Sequence, residues 1–312
     1  MYDINFNSFK GVYDPGRYKW SRTEESNDVI FRFTGPTGET CEARLSASGS
    51  ASNFEFSYDD DDYYYSEEYV FRFSIPRNLT FTLTQGRGTL ANAKVETRID
   101  YDGHNYSASV DATAANISVK VNTEGNDSKI TENSTVAVNG QVLVGTAAEL
   151  TGKNLCNVDR IVNNLPDDLD EGFLTRWFTS AQAKVNVMDK VQAYADVKFN
   201  NSFCDIDETW GYWDYNTREQ ARAEAERVAD VFNKNIDAKI RYNNTKTDQA
   251  LIRFEPQLDE WSYYGWEYIV EPVLYFPQDE TSYRFNDYFK SGFRSLTNQW
   301  NNLVKSYQRL WK

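Results

Sequence analysis

Trp210, Tyr212, Trp213 and Tyr215 crowd into one stretch of the chain, and Trp261, Tyr263, Tyr264 and Trp266 into another. Both stretches have acidic neighbours and little periodicity, which marks them as loops. Phenol and indole rings combine apolar faces with a polar handle, so exposed clusters of them serve as contact patches for glycans or partner proteins. The competing reading folds both loops over a sheet as a satellite core. Asp59, Asp60, Asp61 and Asp62, followed by Glu67 and Glu68, offer hard oxygen ligands of the kind calcium takes. No glycine marks the sharp turn of an EF-hand loop there, so a solvated acidic loop is the simpler expectation. With 47 acidic residues, a pair of carboxylates at glycosidase spacing needs no sequence signature, and none can be singled out.

Other catalytic chemistry lacks its parts. His104 is the one histidine, so a histidine-based triad or metal site has a single member to build on. Beside Asp102-Gly103 it reads as an exposed turn residue. Cys41, Cys156 and Cys204 stand far apart with no C-x-x-C, which argues against a thiolate metal site. One bridge plus a spare thiol, or three inert thiols, remain open. Gly145 to Asn154 resembles a phosphate loop, but six residues separate its glycines and Asn154 follows Lys153, where the motif needs four residues and then Ser or Thr. The expectation is a chain with no catalytic residues and no cofactor.

The elements that must position such patches follow from alternation. Asp28 to Phe33, the turn at 35–38 and Thr40 to Ala47 read as a hairpin, since apolar and polar residues alternate and the break supplies turn chemistry. Ala93, Val95, Thr97, Ile99 and Tyr101 share a face. Asp102-Gly103 turns the chain, and Tyr106, Ala108, Val110 and Ala112 return. The phase then slips near Ala114 to Asn116, as a bulge would make it do. Asn139-Gly140 joins another pair, and Ala183 to Phe199 keeps one phase. Helices are expected over 157–165 and 167–180. Another follows the capping box Thr217 to Gln220, and a long C-terminal one runs from Phe285 to Leu310 with Phe289, Phe293, Leu296, Trp300, Leu303 and Tyr307 along one stripe.

Charge and texture bound the setting. With 33 Lys and Arg against 47 Asp and Glu, a net −14, the chain lacks the basic surface that nucleic acid requires and any polybasic membrane patch. No stretch approaches the roughly 18 apolar residues of a spanning helix. MYDINFNSFK carries no export leader, yet Tyr, Asn, Ser and Thr on β-patterned segments have an extracytoplasmic texture. The export signal is therefore expected outside this chain.

One resemblance adds to this. Asp237 to Asn244, Ala250 to Pro256, Tyr275 to Asp279 and Asn298 to Leu303 resemble segments of uncharacterised exported lipoproteins of gut Bacteroidetes. The resemblance implies a periplasmic or cell-surface location, with a lipid anchor upstream of this chain, and transfers no functional residue. The fold expectation is α+β: a long antiparallel twisted sheet packed against amphipathic helices, with a β-rich segment over 1–85 and sheet plus helices over 86–312. The function expected is a non-catalytic binding module using the aromatic loops, with a glycan, an apolar ligand or a protein as partner. A carrier holding an apolar ligand between sheet and helices, and a carboxylate-dependent glycan hydrolase, are the alternatives. A membrane β-barrel is disfavoured because over 60 residues are assigned to helices and barrels are nearly all strand.

Overall fold

The computed structural model describes residues 2–16, 19–36, 38–62, 65–158, 160, 176–200, 202, 217–258 and 268–285. The chain divides into two units, 1–189 and 190–312.

The first unit is built of strands. They are β1 (Tyr2–Asn5), β2 (Gly11–Pro15), β3 (Trp20–Glu24), β4 (Val29–Thr34), β5 (Thr40–Ser48), β6 (Ser52–Asp62) and β7 (Tyr65–Ile75). After them come β8 (Asn78–Gln85), β9 (Gly88–Asp100), β10 (Asn105–Ala114), β11 (Ile117–Asn126), β12 (Lys129–Val138), β13 (Gln141–Gly152) and β14 (Phe178–Val187). Eleven of them form one sheet in the order β14-β13-β12-β11-β10-β9-β8-β5-β4-β2-β3. From β8 to β14 each strand pairs antiparallel with the next in sequence.

Turn chemistry fixes that meander. Asn139 and Gly140 have φ of 53° and 78°, as a two-residue hairpin turn requires, so the expected pair at this site is present. The slip near Ala114 is a correction: it is a hairpin turn rather than a bulge, with Ala115 at φ 52° between β10 and β11. A register shift does occur between β12 and β13: Val136 pairs with Val144 and Ala137 with Val142, so Leu143 of β13 is the extra residue.

The remaining three strands form a separate sheet, ordered β1-β7-β6, with β1 parallel to β7. Its register puts Tyr2, Phe71 and Phe56 in one row and Ile4, Phe73 and Phe54 in the next, on the same face. Neighbouring rings stack: Tyr2 on Phe71 at 5.0 Å, Phe56 on Phe71 at 5.1 Å and Phe54 on Phe73 at 4.9 Å. Phe54 also stacks at 5.3 Å on Tyr101, which follows β9, so this sheet meets one end of the larger one. The backbone of Asp59 to Asp62 pairs with residues 65–68, which makes this acidic run part of a hairpin strand and not the loop expected.

The second unit contains β15 (Val191–Lys198), α1 (Arg218–Asn235), β16 (Ile236–Tyr242), β17 (Ala250–Leu258), β18 (Tyr268–Phe276) and β19 (Thr281–Arg284), its strands antiparallel in sequence order. The capping box works as its sequence indicates: Thr217 Oγ1 accepts from the Gln220 amide at 3.2 Å. Ala221, Ala225, Val228 and Ala229 form the buried face of α1, which packs on β17 and β18, and Phe232 meets Phe254 at 4.9 Å. Leu274 shares the face of Phe254, and Val273 is buried on the opposite face of β18.

The α+β expectation is overturned. The described residues are mostly strand, nineteen in all, with the 18-residue α1 as their α-helix of any length. Phe178 to Ser180, assigned to a helix by their apolar spacing, open β14, paired with Gly152 and Thr151. The single phase of Ala183 to Phe199 is broken at Met188 and Asp189, whose φ of 53° and 55° end the strand. Most of 157–180 and the stripe from Phe289 to Leu310 lie outside the described residues.

Candidate functional site

Cross-strand partners share a face, so the register of the large sheet sorts its side chains into two surfaces. One row runs Leu79, Val95, Val110, Val121, Ser134, Thr146 and Val185 from β8 to β14. The adjacent row on the other surface runs Thr80, Lys94, Asp111, Lys120, Thr135, Gly145 and Asn186. The first surface is apolar over most of its breadth, with Ala93, Ala112, Val119 and Val136 in the next row. The second is charged and hydroxyl-rich.

The apolar surface is not dry. Val95, Val110, Val119, Val121 and Val136, in the middle strands, stay partly exposed. Val144, Val185 and Val187 on β13 and β14 are 36%, 39% and 38% exposed. Glu132 interrupts this surface; it accepts from Thr146 Oγ1 at 3.2 Å, and Thr146 meets Ser134 Oγ at 2.6 Å, so the carboxylate belongs to a hydroxyl cluster.

The polar surface holds two hollows, of about 360 Å³ and 420 Å³. Arg98, Ser107, Glu124 and Thr131 line both. Around them charges close in pairs: Lys94 with Glu96, Lys120 with Asp111 at 3.3 Å, and Lys129 with Glu149 at 2.6 Å. The Glu96 carboxyl is held below the usual range, first by the hydrogen bond and charge of Lys94 and to a lesser degree by Arg98. A third hollow of about 560 Å³, in the second unit, is lined by Asp196, Lys198, Asn233, Asp237 and Arg253 among others.

One end of the meander gathers His104, Asp127 and Cys156. His104 Nδ1 lies 2.9 Å from Asp127 Oδ2, and Asp127 Oδ1 is buried with no hydrogen-bond partner. Burial, and then the charge of Asp127, push the Cys156 thiol up. A nucleophilic cysteine needs the opposite shift. Tyr106 closes over Gly125 beside this thiol, with its hydroxyl 3.3 Å from Thr123 Oγ1. Cys41 and Cys156 are both free thiols, and His104 sits in its turn at φ 49°.

The sequence-based site residues fare unevenly. Trp210, Tyr212, Trp213, Tyr215, Trp261, Tyr263, Tyr264 and Trp266 all lie outside the described residues, as does Cys204. Gly145 to Gly152 is strand β13 rather than a phosphate loop. Among the described residues no three or more His, Cys, Asp or Glu side chains are placed to hold a metal ion. The residues that sequence reading missed are Arg98 and Glu124. Counting back from the Asp102-Gly103 turn places Arg98 opposite Ser107, and that count was the available signal.

No family model matches the chain, and no curated protein does. Among solved structures, a porin-like protein from Bacteroides vulgatus aligns over 74% of this chain and 95% of its own, at 9% identity and a TM-score of 0.22. A score that low carries no argument about fold or function. No helix among the described residues is long and apolar enough to cross a membrane.

Proposed function

We propose that the chain is a non-catalytic extracytoplasmic protein that seats the apolar face of its eleven-stranded sheet against lipid. The observation that carries this reading is the partial exposure of that face from β9 to β14. In a water-soluble sheet of such breadth, the middle of the apolar face is where side chains are driest, and a contiguous exposed apolar patch marks contact with a partner or a membrane. Strand length agrees. A tilted strand of roughly 9–11 residues crosses the hydrocarbon of a bilayer, and β10, β11, β12 and β14 have 10 residues each. Tyr101 and Tyr106 lie at one end of this face, with Phe54 stacked on Tyr101, where an aromatic belt would meet the headgroups.

The ground for disfavouring a membrane β-barrel is the helical content expected of the chain, and the described residues are mostly strand. The carrier alternative places its ligand between the sheet and the aromatic helices, most of which lie outside the described residues. Flotation of the purified chain with phospholipid vesicles tests the proposal, using Val121→Arg and Asn122→Arg as paired variants. A cation on a lipid-facing strand at mid-depth costs about 2–4 kcal/mol, so V121R leaves the vesicle fraction while N122R floats like the parent. A parent chain that stays monodisperse in water and ignores vesicles, or two variants that behave alike, overturns it.

A further inference from the structure

We propose that the polar face of the same sheet carries a binding site for a small zwitterion, with Arg98 taking its carboxylate and Glu124 its ammonium group. Arg98, Ser107, Glu124 and Thr131 form one cross-strand row over β9 to β12. Two strand spacings separate the Cα atoms of Arg98 and Glu124, about 10 Å. Ser107 stands between them, so a short side chain floors the gap and long ones wall it. The hollow of about 360 Å³ opens there, and Ser109 and Asn122 add a hydroxyl and an amide from the next row.

The charge pattern distinguishes this spot from the rest of the face. Lys94, Lys120 and Lys129 each have a carboxylate within 4 Å, and Glu96 is the partner that Lys94 holds. Arg98 and Glu124 make no ion pair or hydrogen bond among the described residues, although they are opposite in sign and flank one serine. Ser107, Ser109, Asn122 and Thr131 make no side-chain hydrogen bond there either. A guanidinium presents a planar fork that matches a carboxylate through two parallel hydrogen bonds, and a carboxylate accepts from an ammonium. A solute bearing both groups satisfies both walls at once. An anion alone leaves Glu124 facing it, and a cation alone leaves Arg98.

The site faces water whether or not the opposite face meets lipid, so the two proposals fail separately. The test is titration of the folded full chain with 4-aminobutyrate, butyrate and butylamine, followed by NMR or calorimetry. The expected result is saturable binding of 4-aminobutyrate, with butyrate and butylamine each weaker by about tenfold or more, the loss of one charge-assisted contact. Arg98→Gln abolishes the preference over butylamine and Glu124→Gln the preference over butyrate. Lys120→Gln, whose partner is Asp111, leaves all three titrations unchanged. Absence of saturable 4-aminobutyrate binding, or equal binding by parent, R98Q and E124Q with unchanged circular dichroism, overturns the proposal.

Discussion

Gly125→Ala puts the two-faced register to a quantitative trial. Gly125 lies directly opposite Tyr106, whose ring closes over it. A Cβ added there would stand 2.5 Å from Tyr106 Cε1, 3.0 Å from Cys156 Sγ and 3.1 Å from Ile130 Cγ1. Carbon atoms rest at about 3.5–4.0 Å, so the ring must retreat by about 1 Å. Overpacking of this kind costs about 1–3 kcal/mol. The φ of Gly125 lies outside the left-handed region, so alanine recovers about 0.5–1 kcal/mol of the conformational entropy that glycine loses on folding. The difference is a net destabilisation centred on about 1 kcal/mol and at most about 2.5 kcal/mol, read as a lowered urea midpoint with unchanged slope. Tyr106→Ala removes the obstruction, so adding G125A to it should cost less by about 1 kcal/mol or more. A variant as stable as the parent, or strict additivity of the two changes, refutes the packing described around Gly125.

Three further outcomes follow from local geometry. Gly140→Ala meets no atom within 4 Å, yet φ is +78°, so its cost is backbone strain alone, about 1–2 kcal/mol; an unchanged melting temperature contradicts this. Thr217→Ala deletes the acceptor for the Gln220 amide and should cost about 1 kcal/mol, visible as earlier loss of helical ellipticity on heating. Because burial and Asp127 both raise the Cys156 thiol, its thiolate fraction near pH 8 is below that of an ordinary cysteine, and alkylation accelerates only at higher pH. Asp127→Asn removes the smaller cause and should speed that reaction at fixed pH, as peptide mass mapping reports; identical rates would count against the described proximity.

What was legible in the sequence was local. Asn139-Gly140 and Asp102-Gly103 announce their turns because those residue types tolerate the dihedrals required, and Thr217 to Gln220 announces α1 because a cap is a contact within one turn. Ala115 and Met188 adopt positive φ without belonging to types that signal it. One turn was therefore read as a bulge, and one break not at all. Phe178 to Ser180 fit either period, and pairing with β13 decides between them. Arg98 and Glu124 were invisible as a pair because 26 positions separate them and only the register of two hairpins sets them in one row. Alternation likewise shows that one face is apolar, while the medium that touches it is a property of the assembled sheet.

The central claim is that successive residues of the middle strands meet lipid and water in turn. Nitroxide labels at Ser109, Val110, Val121 and Asn122, placed one at a time in the chain reconstituted in vesicles, read this directly through collision with oxygen and with a water-soluble nickel chelate. The account predicts oxygen-favoured relaxation at Val110 and Val121 and nickel-favoured relaxation at Ser109 and Asn122. Nickel access at all four positions, or protection of Val110 and Val121 from both reagents as in a dry protein core, would contradict it.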